Sequence, residues 1–404
     1  MIEMDCTCAQ KHHSIPTEVI EVSDHAIEKV GDILKAYRRI FLVADENTYR
    51  VAGRRVEEIL KEKGILSHTL VLPSPALPNA ESIGRVLMEA GRDRETYDIN
   101  AWSLNPDYIL AVGSGSLNDT CRMVSYRLGI PYGVVGTAPS MDGYASVVAP
   151  LLNGRKKIVY NCSIARHIII DLSVNAAAPY PLLLSGVGDM IGKYVAILDW
   201  EISRDRNGEY YCGQIADRVL KATDQCVAAA ASLKSRDTAA IRAASEGLIL
   251  SGECIAFCGS SRPASGTEHM IGQTWEVMDV EEGKTPNLHG IEVGEGTFTA
   301  IELFRRLYGE TKDAGLKGLI EKYLPAFDRI EQLQKKLQIP FTVTDKQRYI
   351  QGILRGRTFR DRYTILQYLY DLGKLEEYAE QVYEPVMQKY CFSTFREQFP
   401  QWQA

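Results

Sequence analysis

Short apolar runs alternate with helical patterns through the first 175 residues, and this alternation limits the possible folds more than any other feature. The strand-like runs cover residues 39–45, 67–73, 108–113, 132–137 and 167–171, and the helical patterns cover 48–63, 80–91 and 118–128. The run YILAVG at 108–113 is apolar in its middle, as expected for a parallel strand that is covered on both faces. Strand–helix alternation predicts a parallel sheet wrapped by helices.

The pattern changes after Pro181. The strand patterns end there, and helical spacing is found in residues 182–202, 215–234, 237–257, 266–278, 291–307, 315–333, 345–354 and 363–372.

In the first part of the chain, Asn153-Gly154 lies between apolar residues in 147–159 and predicts a two-residue hairpin turn. We therefore expect an α/β domain over residues 1–175 and an all-α domain over residues 176–404.

The charge and the apolar runs exclude some classes of function. A net charge of −6 argues against nucleic-acid binding, which depends on basic patches. The chain has no run of 18 apolar residues, and its first residues lack the basic and apolar regions of a signal peptide. Its nine cysteines are an odd number, and several lie in strand-like or helix-like stretches, which favours reduced thiols. We predict a cytoplasmic protein with no membrane insertion.

Four residues near the amino terminus suggest a metal cluster, namely Cys6, Cys8, His12 and His13. Their spacing matches no zinc module, and chain ends are often disordered. A structural or accidental interpretation is therefore preferred over a metal site.

A glycine-rich turn, GSGSLND at 113–119, follows the third strand and precedes a helix. The first N–H groups of such a helix attract phosphate, and glycine lets the backbone approach the ligand closely. The turn can bind a nucleotide or be a plain tight turn, and it does not match the G-x-G-x-x-G fingerprint. Asp45 at the end of an earlier strand can likewise bind a ribose or cap a helix.

Three residues of the helical half could form a metal site. Asp189 lies in an apolar helical stretch, where a carboxylate needs a partner, and Lys193 is on the same helix face. His269 and His289 lie in glycine-containing segments of two further helices. One aspartate and two histidines would leave positions open for substrate on a divalent metal. A plain Asp189–Lys193 ion pair and structural histidines are the alternative.

An ordered series of motifs resembles the glycerol-1-phosphate dehydrogenases, within the dehydroquinate synthase and iron-type alcohol dehydrogenase superfamily. The series is GSGSLND (113–119), TAPSMDGYAS (137–146), GVGDMIGKY (186–194), DWEIS (199–203), SRPASGTEH (261–269) and LHG (288–290), and RDRYTIL (360–366) is also similar. The resemblance covers about residues 40 to 300. It implies a Rossmann-like nucleotide-binding domain, a helical metal- and substrate-binding domain, and an active site in the cleft between them.

The resemblance also implies roles for single residues. Asp45 and Asn47 would meet the adenosine side of NAD(H) or NADP(H), and the pyrophosphate would lie against Gly113, Ser114, Gly115, Ser116 and Leu117. The nicotinamide end would be lined by Thr137, Ala138, Pro139, Ser140 and Ser146, with Asp142 on the substrate. Asp189, His269 and His289 would bind one divalent ion, zinc or nickel.

The implied reaction is the reduction of dihydroxyacetone phosphate to sn-glycerol 1-phosphate, and family members commonly self-associate, so a homodimer is expected. Lys193 and Arg262 are candidates for the cations that the substrate phosphate needs. One position departs from the family: Gln273 stands where a second histidine is usual, and glutamine cannot relay a proton. A dehydrogenase of another polyol or phosphorylated alcohol, and a non-catalytic nucleotide-binding homologue, are therefore alternatives.

Overall fold

The computed structural model describes residues 1–8, 14–90 and 105–402. The chain packs into two units. Among the described residues, the first unit contains 1–5 and 14–179. The second unit contains 6–8 and 180–402. The change of unit thus falls four residues beyond the expected boundary at residue 175.

A six-stranded sheet forms the middle of the first unit, in the order β3–β10–β7–β6–β4–β5 with every pair parallel. These strands are β3 (Val19–Ser23), β4 (Ile40–Asp45), β5 (Leu66–Leu72), β6 (Tyr108–Gly113), β7 (Tyr132–Gly136) and β10 (His167–Asp171). The pattern predicted five of them. It missed β3, an edge strand without a long apolar run, whose residues are all half-buried.

The chain order of these strands reverses at one place in the sheet. From β4 the chain goes outward to the edge strand β5, and then it crosses back to β6 on the other side of β4. In open α/β sheets, ligands bind outside the carboxyl ends of the strands at such a reversal. The helices of this unit are α1 (Val30–Ile33), α2 (Glu46–Thr48), α3 (Arg54–Glu62), α4 (Ala80–Ala90), α5 (Gly115–Leu128) and α6 (Leu172–Ala177).

Four other strands form two small antiparallel ladders in the first unit. The strands β1 (Ile2–Glu3) and β2 (Ser14–Ile15) pair with each other, and β8 (Val148–Asn153) forms the predicted hairpin with β9 (Lys156–Asn161). Asn153 pairs with Lys156, so the turn consists of Gly154 and Arg155, one residue later than predicted. Gly154 has a φ of 59°, which glycine adopts without a steric cost.

The second unit is helical in all its described elements, which confirms the expected fold class. Its helices are α7 (Tyr180–Ile191), α8 (Lys193–Asn207), α9 (Gly213–Ala229), α10 (Thr238–Cys258), α11 (Thr267–Glu281), α12 (His289–Glu310), α13 (Ala314–Leu337), α14 (Lys346–Gly356), α15 (Ile365–Asp371), α16 (Leu375–Tyr390) and α17 (Phe395–Gln398). Residues 182–202, predicted as one helix, lie in α7 and α8, which are divided only at Gly192, a residue that itself has a right-handed helical conformation.

The stretch Tyr180–Asn207 is long and apolar enough to span a membrane by composition. Of its most apolar window, 94% is buried inside the protein, as in the core helix of a globular protein. Its apolar character therefore reflects packing within the second unit.

Candidate functional site

The glycine-rich turn lies at the carboxyl end of β6, next to the reversal of strand order. Ser114 precedes α5 in an extended conformation, so the chain turns sharply from strand to helix. A Cβ atom on Gly113 would lie 2.9 Å from the Cβ of Leu117, which is why the tight turn requires glycine there. The turn leaves the first N–H groups of a 14-residue helix directed toward the carboxyl edge of the sheet, where an anion is favoured.

The loop 137–146 packs against this turn. Thr137 N donates to Gly113 O at 3.2 Å, and the hydroxyls of Ser114 and Ser140 are 2.7 Å apart. Arg122, fully buried in α5, donates to the carbonyl oxygens of Gly143 and Tyr144. The loop is thereby fixed beside the turn.

Of the residues predicted in this loop, all except Asp142 are buried, namely Thr137, Ala138, Pro139, Ser140 and Ser146. Asp142 is half-buried at the start of a short 3₁₀ turn. All six belong to the first unit.

Asp45 has a structural role at the carboxyl end of β4, the strand next to β6. Its Oδ1 accepts from the N–H and the hydroxyl of Thr48, at 2.8 Å and 2.9 Å, and forms a capping box for α2. The capping alternative is therefore present in the structure. Asn47, the second residue of the same helix, donates to Ser74 Oγ at 2.6 Å.

The second unit brings together Asp189 of α7, His269 of α11 and His289 of α12. One ligand atom from each lies within 4.8 Å of the others. Close helix contact makes this possible. A Cβ atom on Gly188 would lie 2.9 Å from the carbonyl carbon of Gly290, so glycine on both helices lets the two backbones touch.

A buried glutamate stands behind each histidine. Glu268 Oε1 accepts from His269 Nδ1 at 2.7 Å, and Glu276 Oε1 accepts from His289 Nδ1 at 2.6 Å. With Nδ1 occupied, the Nε2 atom is the available ligand, and His269 Nε2 lies 3.5 Å from Asp189 Oδ1. A carboxylate that fixes the tautomer of a histidine ligand is a common feature of metal centres. One carboxylate and two oriented imidazoles thus fit a divalent first-row ion.

The charge of Asp189 is stabilised although the residue is fully buried. Burial alone raises the pKa of this carboxyl, but the Lys193 ammonium and the His269 imidazole hold it well below its usual range. Lys193 Nζ donates to Asp189 Oδ1 at 2.6 Å. The ion pair that the sequence suggested therefore exists together with the metal-type arrangement.

Two arginines, Arg360 and Arg362, contact residues on either side of His269 in the sequence. Arg360 donates to Ser261 Oγ at 2.7 Å and to Gln273 Oε1 at 3.0 Å. Arg362 donates to the same Ser261 Oγ at 2.6 Å and to the carbonyl oxygen of Ser265 at 2.8 Å. The acceptors in these four hydrogen bonds are neutral, so the bonds themselves bring no negative charge to the two guanidinium groups.

Arg362 is surrounded by both signs of charge, since Arg360 and Arg262 oppose its protonated form and the carboxylates of Glu209 and Glu268 favour it. Burial, followed by the like charges of Arg360 and Arg262, lowers the pKa of Arg362 to about 9. An anion bound between Arg360 and Arg362 would offset this repulsion and receive charge-assisted hydrogen bonds.

The two cations predicted to bind phosphate have other partners. Lys193 binds Asp189, and Arg262 pairs with Glu209 while also donating to the carbonyl oxygen of Tyr363 at 3.0 Å. Sequence reasoning included RDRYTIL in the motif series but assigned no role to its arginines. Only the position of this segment beside Gln273 shows what they contact. Glu276 was also missed, because its spacing from His289 follows no helical period. Glu268 directly precedes His269, but adjacent residues of a helix do not normally face each other, so the sequence gave no sign of their contact.

Comparison with known proteins identifies relatives of this chain. Residues 21–179 match the sequence profile described as iron-containing alcohol dehydrogenase. A protein from Bacillus licheniformis named glycerol-1-phosphate dehydrogenase [NAD(P)+] is 30% identical over 92% of this chain and 93% of its own length. A protein of the same name from Methanosarcina mazei is 30% identical over 88% of this chain and 92% of its own.

Solved structures show the same fold. Glycerol dehydrogenase from Schizosaccharomyces pombe superimposes with a TM-score of 0.65 at 15% identity, over 96% of each chain. This chain therefore shares with that glycerol dehydrogenase the combination of a parallel sheet and a helical unit.

Proposed function

Because the chain belongs to the glycerol-1-phosphate dehydrogenase family, we propose that it reduces dihydroxyacetone phosphate to sn-glycerol 1-phosphate, reversibly, with NADH or NADPH. The observation that carries this proposal is the position of Arg360 and Arg362. Gln273, which accepts from Arg360, lies four residues after His269 on α11, and such residues are neighbours on one helix face. A phosphate site therefore adjoins a metal-type site.

Asp189, His269 and His289 would hold the divalent ion, with Glu268 and Glu276 fixing the two imidazoles. When bound, the ion polarises the substrate carbonyl and the nicotinamide supplies the hydride. We propose zinc or nickel, since a carboxylate with two imidazoles suits either.

Arg360 and Arg362 would bind the substrate phosphate through their guanidinium N–H groups. One methylene and one ester oxygen separate the phosphate from the carbonyl carbon of dihydroxyacetone phosphate, so both ends of this small molecule must be recognised close together. Gln273 would keep Arg360 in place through its amide oxygen, and its amide N–H groups can donate to a substrate oxygen. This gives glutamine a binding role at the position where histidine is usual.

The first unit would bind the cofactor. We place the pyrophosphate at Gly113, Ser114, Gly115, Ser116 and Leu117, because the helix N-terminus favours an anion there. The proposal extends to Asp45 and Asn47 for the adenosine side, to the loop residues Thr137, Ala138, Pro139, Ser140 and Ser146 for the nicotinamide, and to Asp142 for the substrate. We also propose that the protein is a homodimer in the cytoplasm. All nine cysteines are free, which supports a reducing compartment.

A matched pair of substrates tests the phosphate site. Chelator-stripped enzyme, reloaded with zinc or nickel, would be assayed with dihydroxyacetone phosphate and with dihydroxyacetone, by following NADH and NADPH absorbance. Replacing Arg360 or Arg362 by methionine removes a half-buried charged contact worth about 2 kcal/mol, so kcat/KM for the phosphorylated substrate should fall roughly 30-fold.

The turnover of dihydroxyacetone should change little in these variants. Arg355→Met is the control, since Arg355 is exposed on α14 and pairs with Glu281. Equal losses on both substrates, or a wild-type enzyme that prefers dihydroxyacetone, would refute the phosphate site and favour another polyol as substrate.

A further inference from the structure

A cluster of three thiols lies in the second unit. The Sγ atoms of Cys6 and Cys8 are 2.9 Å apart, and that of Cys6 lies 3.3 Å from that of Cys212. All three sulfur atoms lie within 4.8 Å of one another. Cys212 is buried and immediately precedes α9, and the other two cysteines are half-buried. His12 and His13 lie outside the described residues.

The surroundings hold the thiols in this arrangement. Thr7 N donates to Gln214 Oε1 at 3.2 Å, which attaches the amino-terminal segment to the first turn of α9. Cys8 N approaches Cys6 Sγ at 3.3 Å, and the Tyr210 hydroxyl lies 3.2 Å from Cys8 Sγ. Cys212 lies at the amino-terminal end of a 17-residue helix, where the helix dipole places a partial positive charge.

We propose that Cys6, Cys8 and Cys212 form a second metal site, which binds zinc through three thiolates. In a tetrahedral site with Zn–S bonds of about 2.3 Å, neighbouring sulfurs are about 3.8 Å apart. The observed separations of 2.9 Å and 3.3 Å need to open by less than about 1 Å to reach this value.

A disulfide satisfies the cluster less well. It requires two sulfurs at about 2.05 Å and leaves the third thiol without a role, whereas one zinc ion uses all three. Thiolate ligands also select soft or borderline ions such as zinc over magnesium or calcium. On binding, each thiol loses its proton to the solvent, so three S–H bonds are replaced by three Zn–S bonds.

The site would fix residues 6–8 to the start of α9, which is a structural role separate from the chemistry at Asp189, His269 and His289. The sequence suggested a metal cluster at Cys6 and Cys8 together with His12 and His13, but it gave no indication of Cys212, which follows Cys6 by 206 residues.

Cobalt substitution distinguishes this site from the Asp–His site. The full-length chain carrying His269→Ala and His289→Ala would be purified with reducing agent and titrated with Co²⁺. Thiolate–cobalt coordination gives an intense near-ultraviolet charge-transfer band, which an aspartate–imidazole site does not produce. We expect this band at one cobalt per chain, and one tightly bound zinc per chain by elemental analysis of the same variant.

Adding Cys8→Ser, a half-buried position, should abolish the band and the bound zinc, while Cys391→Ser, a half-buried cysteine at the end of α16, should leave both unchanged. Circular dichroism would confirm that each variant is folded. Absence of the band in the double histidine variant, its persistence after Cys8→Ser, or a Cys6 disulfide in the non-reduced protein would overturn the proposal.

Discussion

Replacing Gly290 by alanine should separate two helices that hold the proposed metal ligands. Gly290 follows His289 in the first turn of α12, which packs on α7. A Cβ atom there would lie 2.6 Å from the carbonyl carbon and 2.8 Å from the Oγ of Ser185, and the carbonyl oxygen is closer still. These atoms belong largely to backbone, so no flexible side chain can move aside.

The size of the effect follows from these distances. Carbon atoms pack at about 3.5 Å or more, so the carbon contact alone requires the α7–α12 distance to open by at least roughly 0.9 Å. Metal–ligand distances tolerate about 0.2 Å, which means that His289 and Asp189 can no longer both reach one ion without distortion. We expect roughly a 100-fold loss in metal affinity and a loss of about 1–3 kcal/mol in the free energy of unfolding from overpacking.

The measurement is a chelator competition for zinc or nickel, combined with thermal unfolding of the stripped protein. Gly309→Ala is a matched control, since it lies in the same helix and its Cβ atom would have no neighbour within 4 Å. It should retain metal affinity and gain about 0.5–1 kcal/mol of stability, because alanine loses less backbone entropy than glycine. Equal metal affinities in Gly290→Ala and Gly309→Ala would refute the argument that this contact positions the ligands.

Two further predictions concern one buried and one half-buried carboxylate, Glu276 and Glu253. Glu276→Gln should weaken metal binding 10- to 100-fold by loosening His289, while Glu281→Gln at the exposed end of the same helix should not; equal affinities in a chelator competition would contradict this role. Burial raises the pKa of Glu253 to about 7 from 4.5, so the folded state holds this proton more tightly and stability is lost as pH rises from about 4.5 to 7. Glu253→Gln should therefore gain up to about 3 kcal/mol over wild type between pH 5 and pH 8, measured by denaturant unfolding, with exposed Glu246→Gln as the flat control.

The local patterns of the sequence determined most of the first unit. Parallel strands that are covered on both faces must be apolar throughout, so β4, β6, β7 and β10 could be read directly from their composition. The glycine turn after β6 was equally visible, because its geometry depends on adjacent residues. The edge strand β3 lacked this signal, since half-buried positions carry no continuous apolar run.

The division between α7 and α8 at Gly192 was not predicted, since helical periodicity continues on both sides of it. For the metal-type site, sequence motifs identified Asp189, His269 and His289, but they did not show that Glu276 supports His289.

Only the tertiary structure decided which charges and thiols are neighbours. By their position in the sequence, Lys193 and Arg262 were reasonable phosphate ligands. In the structure, Lys193 forms an ion pair with Asp189, and Arg262 forms one with Glu209. The arginine that contacts Gln273 is Arg360. Secondary structure reflects interactions between residues a few positions apart, which leave a period in the sequence. Contacts across 87 residues, as between Gln273 and Arg360, or across 206, as between Cys6 and Cys212, depend on how helices pack and leave no period to read.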